Sequence, residues 1–175
     1  RGMEEGLDAV IVNPSIIFGP ANWESGSAKI FKTVWDGMKF YTKGVTGFVD
    51  VHDVVRPMLL LMNDSNFEKC KNQRFLLSAE NLSYQSVFSQ IASALNKPAP
   101  TIWATDFLLA FVWRAASLIS LITHKPAFIT KEAATGRNQL NKFDGSKITQ
   151  MLSYSYIPIS ESIKKTAAFL KNDMK

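Results

Sequence analysis

The sequence predicts an α/β fold in which short parallel strands alternate with helices, and three observations carry that prediction. The run Leu7-Asp8-Ala9-Val10-Ile11-Val12 is almost continuously apolar, which suits a parallel strand covered on both faces better than a half-exposed one. Helix signals recur after it, each with a capping residue or a closing glycine. The composition allows a packed core: of 175 residues, 46% are hydrophobic and 20% charged, which excludes a disordered or low-complexity chain.

Taken in order, Met3 to Gly6 reads as the last turn of a helix closed by a left-handed glycine. The strand at 7–12 needs parallel neighbours, and these are expected from an earlier part of a longer protein, so that 1–175 forms its C-terminal part. Residues 27–37 form a short helix with Ile30, Phe31 and Val34 on one face and Gly37 at its end. Residues 46–51 form a strand. Asp53 has the chemistry of an N-cap for a helix over 54–62, and Pro57 falls late enough in its first turn to cost one hydrogen bond at most. Residues 74–78 are a strand, and Ser83 caps a helix with Val87, Ile91 and Leu95 four apart, stopped before Pro98. Asp106 begins a long apolar helix to about residue 123. Ser160 caps the last helix, with Ile163, Ala167 and Leu170 inward.

Charge and cysteine content narrow the function classes. Residues 1–124 carry eleven basic and eleven acidic side chains, whereas 125–175 carry nine and four, so the net charge of +5 lies in the last third. Those basic residues are spread singly and form no phosphate-tracking stripe, so nucleic acid is not an expected partner. The single cysteine, Cys70, excludes a disulfide framework and a thiolate zinc site. No secretory signal pattern opens the sequence, so a cytoplasmic location is expected. His52 and His124 lack carboxylates at metal-ligand spacing, and no metal is expected. Asp50 and Asp53 read as a strand-end carboxylate and an N-cap in preference to an acid–base pair. The apolar stretch 106–123 is interrupted by Asp106 and Arg114, each costing roughly 2.5–3.5 kcal/mol at mid-bilayer. It is therefore expected in a core, at a subunit interface or in peripheral contact with a membrane surface, not spanning one.

The stretch Asn13-Pro14-Ser15-Ile16-Ile17-Phe18-Gly19-Pro20 follows the predicted strand. In open parallel sheets ligands sit outside the carboxyl ends of strands. Pro14 fixes its own φ and Gly19-Pro20 turns the chain away, so the peptide groups between them have a defined geometry suited to recognising an amide. A plain strand exit with a proline turn explains the same residues without any ligand.

Three segments in order resemble one family: Val-Asn-Pro-Ser-Ile-Ile-Phe-Gly-Pro ending at Pro20, Gly-Phe-Val-Asp-Val-His-Asp-Val-Val over 47–55, and Arg-Phe-Leu-Leu-Ser-Ala-Glu-Asn over 74–81. They resemble the C-terminal half of an extended short-chain dehydrogenase/reductase, in the NAD-dependent epimerase/dehydratase group and its dihydroflavonol-reductase-like branch. The resemblance implies the last parallel strands of a Rossmann-like fold plus a mostly helical substrate-binding part, with the N-terminal cofactor-binding half absent. It implies NAD or NADP as cofactor, bound mostly by that other half, with Pro14, Ser15 and Ile16 against the nicotinamide. It also implies a small-molecule substrate, in a pocket lined by Trp23, Ser27, Phe31 and Phe128.

Family chemistry uses a Tyr followed four residues later by Lys, because the lysine lowers the phenol pKa for proton transfer to a carbonyl. The residues four after Tyr84, Tyr154 and Tyr156 are Phe88, Pro158 and Ser160, and the sequence has no Gly-x-Gly-x-x-Gly. The chain alone is accordingly expected to be inactive. Asn13 stands where many nucleotide-sugar relatives carry Arg, which favours reduction of a ketone or aldehyde. A nucleotide-sugar epimerase or dehydratase, and a non-catalytic binding or membrane-surface module on the same scaffold, are the alternatives. An uncovered strand edge and the apolar helix favour homo-oligomerisation, most simply a dimer.

Overall fold

The computed structural model describes residues 2, 4–24, 26–105 and 139–173. Its organising feature is an extended run that changes partners midway. The first part, β1 (Ile11–Pro14), pairs in parallel with β5 (Arg74–Leu77); after Ser15, β2 (Ile16–Phe18) pairs in parallel with β4 (Val45–Asp50). On its other side β4 pairs antiparallel with β6 (Glu80–Ser83). A third, minimal ribbon joins β3 (Phe40–Tyr41) to β7 (Ile102–Trp103) in parallel.

The apolar run at 7–12 is not one strand covered on both faces. Gly6 takes φ +90° and Leu7 N–H donates to Gly2 O at 2.9 Å, closing a turn. Ala9 is then held by Asn72, whose amide donates to Ala9 O at 2.7 Å. These bonds occupy the backbone of 7–9, so pairing starts at Ile11 and extends to Pro14, and Leu7 is left 61% exposed.

Helices α1 (Ala28–Trp35) and α2 (His52–Leu61) fall near their predicted positions. The second begins two residues early and places Asp53 inside its first turn, so Asp53 is not its N-cap. A short helix α3 (Asp64–Cys70), capped by the Asn63 side chain accepting from Ser65 N–H, had no clear apolar period to announce it. Helix α4 (Tyr84–Leu95) is as predicted: Ser83 Oγ accepts from Ser86 N–H at 3.2 Å, and Val87, Ile91 and Leu95 are buried. After α5 (Ser146–Leu152) comes α6 (Ile159–Asp173). Ser160 is its second residue and does not cap it; the Ile159 N–H donates to the Glu80 carboxylate at 2.8 Å instead. Ile163, Ala167 and Leu170 face inward as expected. The predicted helix over 106–123 lies outside the described residues.

Strand β4 separates two cores because its side chains alternate between faces. Phe48 joins Phe18 and Phe31 with residues of α4 and α6 in the larger cluster, where Phe18 and Phe31 meet edge to face at 5.3 Å. Val49 faces the smaller one, with Leu61, Cys70, Phe75, Leu77 and Ile148.

Candidate cofactor and substrate site

The two sheets diverge at Ser15, and the residues around it form the best-defined polar junction of the fold. Ser15 N–H donates to Leu77 O at 2.9 Å, while the next residue, Ile16, is already in register with Phe48. Gly47 lies opposite: a Cβ there would press on Ser78 Oγ and lie 2.9 Å from the Phe143 ring and 3.0 Å from Ser15 Cβ. Glycine therefore lets the β4 backbone approach the strand junction. The loop around 143–145 closes the same junction. Asn81 clamps it, its side-chain amide donating to Phe143 O and accepting from Phe143 N–H, both at 2.8 Å. A Cβ on Gly145 would meet the Ser78 backbone. Within this convergence the Ser15 and Ser78 hydroxyls are buried and have no hydrogen-bond partner among the described residues.

The sequence-predicted residues fall into two groups. Pro14 ends β1, and Ser15 and Ile16 follow it at the junction. Trp23, Ser27 and Phe31 gather on the other side of β2. The Trp23 indole N–H donates to Asp173 at 2.7 Å and its ring lies 6.1 Å from that of Phe169. Ser27 Oγ donates to Ile17 O, tying α1 to β2. Phe31 has no exposed surface. Phe128 and His124 lie outside the described residues. Gly47, Ser78 and Asn81 were not singled out as site residues from sequence; an isolated glycine inside a strand pattern is the signal that could have found Gly47, since it marks close backbone approach.

Two buried carboxylates, Asp50 at the carboxyl end of β4 and Asp53 just beyond it, are shifted in opposite directions. Burial pushes Asp50 up, but hydrogen bonds from Ser162 Oγ and from the His52 amide and ring outweigh it, and its carboxyl is held below the ordinary value. Asp53 has no exposed surface and accepts from Tyr154 OH at 2.6 Å and Ile157 N–H at 2.7 Å. Burial dominates there, and the carboxyl is raised. It clasps the 154–157 segment to α2, a role its partners, not its helix position, define. Burial and the neighbouring Asp53 carboxylate also raise Tyr154, and burial pushes Tyr156 up to about 12. Neither phenol is tuned towards neutrality as a proton donor would be. Among the described residues no cluster of three or more His, Cys, Asp or Glu could hold a metal ion, and no helix is long and apolar enough to cross a membrane.

Comparisons with known proteins narrow the class of fold. No family model matches the sequence. The chain is 24% identical over 174 residues to a putative dihydroflavonol 4-reductase from Synechocystis, covering 97% of this chain and 50% of that protein. It superposes on a nucleoside-diphosphate-sugar epimerase from Pseudomonas aeruginosa with a TM-score of 0.69 at 20% identity, covering 97% of this chain and 50% of that one. It superposes also on the UDP-glucuronic acid 4-epimerase of Bacillus cereus, solved with UDP-glucuronic acid and NAD, with a TM-score of 0.62 at 13% identity over 93% of this chain and 45% of that one. The chain thus spans about half the length of these proteins. Its fold is that of the C-terminal half of the extended short-chain dehydrogenase/reductases, and its relatives and structural neighbours are dihydroflavonol-reductase-like and epimerase/dehydratase proteins.

Proposed function

We propose that this chain is the substrate-side part, over 1–175, of a cytoplasmic NAD(P)-dependent oxidoreductase that reduces a small-molecule ketone or aldehyde. The observation that carries the reading is the switch of partners at Ser15. Pro14 ends β1 opposite Leu77 at the end of β5, Ser15 and Ile16 follow it, and the carboxyl ends of strands are where an α/β fold receives a ligand. The peptide groups from Pro14 to Ile16 suit a nicotinamide carboxamide, a group with both donors and an acceptor. When bound, the nicotinamide would supply or accept the hydride. This chain's own part is to orient it through the junction and to hold the substrate on the Trp23 and Ser27 side, with Phe31 beneath. The proton donor and the pyrophosphate cradle belong to the N-terminal half, because neither motif occurs here.

Asn13 before Pro14, where a nucleotide-sugar enzyme would use Arg to grip diphosphate, supports a carbonyl substrate. The named epimerase neighbours favour a nucleotide sugar as the second reading. A panel of aromatic and aliphatic carbonyls against UDP- and dTDP-sugars, run on the full-length protein with NADH and NADPH, separates the two; turnover of sugar nucleotides alone overturns the first. A cofactor-bound structure of that protein with the nicotinamide ring more than about 8 Å from Pro14, beyond direct or one-water reach, overturns the placement.

The edge of β1 left unpaired among the described residues and the outer face of α2 are the surfaces the other half would cover, and in the chain alone we expect two copies to pair there. The apolar stretch 106–123 is the proposed segment of peripheral lipid contact. Calorimetric titration of the chain alone with NADH and NADPH is expected to show no saturable binding below the millimolar range; micromolar affinity would place the cofactor site within this half.

A further inference from the structure

The β3–β7 corner combines apolar exposure with positive charge that the proposed cofactor and substrate roles leave unused. Phe40 pairs with Ile102 and Tyr41 with Trp103. Successive strand residues face opposite sides, so this two-residue ribbon carries large apolar side chains on both faces. Phe40, Ile102 and Trp103 are 44%, 46% and 43% exposed. Lysines surround them. Lys43 Nζ lies 3.7 Å from the centroid of the Trp103 ring, Lys97 Nζ lies 4.3 Å from that of Trp35, and Lys39 precedes Phe40 on the surface.

The corner also flanks both ends of the segment that holds the most apolar part of the sequence. Trp103 and Ala104 lead into 106–123, whose only charged residues are Asp106 and Arg114. Gln139 O accepts from Val45 N–H at 3.0 Å, and Leu140, 70% exposed, bridges to Val45 two residues from Lys43.

We propose that this corner docks on an anionic lipid bilayer, with Phe40, Ile102 and Trp103 entering the headgroup layer and Lys39, Lys43 and Lys97 facing the lipid phosphates. Aromatic side chains with one polar end settle at the membrane interface, and a lysine near an anionic leaflet strengthens binding about fivefold. A protein partner fits less well, because protein interfaces are depleted in lysine and enriched in arginine, and every described basic residue at this corner is a lysine. The proposal is independent of the oxidoreductase reading.

Vesicle flotation of the chain tests it, with phosphatidylcholine vesicles against phosphatidylcholine–phosphatidylserine vesicles. The chain is expected to float with the anionic vesicles and to be released by salt. The double variant K39E/K43E is expected to weaken partitioning about tenfold or more, and W103S to weaken it at low salt and to lower the salt concentration that releases the chain. Both variants alter exposed positions, and an unchanged thermal melt verifies their folding. Absence of binding to anionic vesicles, or binding that neither variant alters, overturns the proposal. So does a dimer in lipid-free sedimentation that W103S dissolves, since the corner would then be a contact between copies.

Discussion

The two cores on either side of β4 differ in how completely the chain encloses them. The larger is shut in by β2, β4 and β6 on one side and α1, α4 and α6 on the other, and Phe18, Phe31, Phe48 and Ile91 have no exposed surface. The smaller rests on β1 and β5, and its covering helix α2 turns Val55, Met58, Leu59 and Met62 outward at 49%, 45%, 62% and 74% exposure. Those four positions lie on one helical stripe. Strand β1 has a single partner among the described residues. One region is therefore finished by its own sequence, and the other presents a strand edge and a helix face suited to further protein.

The largest expected effect comes from the enclosed core. Phe18→Ala removes a ring packed on two others and should cost about 3–5 kcal/mol in urea unfolding. Phe75→Ala in the smaller core should instead show locally, lowering hydrogen-exchange protection in β1 and β5 while the amides of α4 and α6 keep theirs. Equal loss in both regions would mean that the two cores unfold as one unit and would break the comparison.

Next in size is the clasp that binds the smaller core to the C-terminal segment. Asp53→Ala strands the Tyr154 hydroxyl and the Ile157 amide, and should cost about 3 kcal/mol; Tyr154→Phe, which leaves the Ile157 bond intact, should cost about half of that. Gly47→Ala tests the junction between the regions. Overpacking against Ser15, Ser78 and Phe143 should cost about 1–3 kcal/mol, and Ser78→Ala in the same chain should recover part of it, because it removes one of the three obstructing groups.

Acid sharpens the comparison, because the two buried carboxylates sit on opposite sides of it. Asp50, tied to Ser162 of α6, has a lowered pKa. Its contribution is present above the unfolded-state value and is lost as pH falls through the folded one. Asp53 has a raised pKa. Its contribution is full below the unfolded-state value and declines as pH rises through the folded one. Urea midpoints measured across the acid range should show Asp50→Asn flattening the low-pH fall and Asp53→Asn flattening the decline on the other side. The smallest effect is expected at the outer face of α2. Met62→Lys should change monomer stability by no more than about 0.5 kcal/mol, yet reduce self-association in sedimentation velocity.

Local signals were legible wherever a few neighbouring residues settle the outcome. The cap, the four-residue apolar period and the stop before Pro98 placed α4 because all three act within one helix. Asp53 was misjudged as a cap for the opposite reason: its partners, Tyr154 and Ile157, lie 101 and 104 residues away. Strand β1 starts four residues later than the apolar run because Asn72 holds Ala9, a contact 63 residues apart in sequence. The Pro14–Ile16 segment was visible from its prolines, whereas Ser78 looked like an ordinary strand end.

The sequence by itself determined the alternation of strands and helices, which face of α1, α4 and α6 is apolar, and the place of the proline-bounded segment after the first strand. These follow from periodicity, capping and the fixed φ of proline, all short-range constraints. Only the tertiary structure decided that the first strand changes partners at Ser15, that Gly47 brings β4 against Ser78, and that Asp50 and Asp53 are pulled apart in acidity. Each of these depends on which distant backbone or hydroxyl arrives beside a group once it is out of water, and burial and hydrogen bonding are set there by packing, not by spacing along the chain.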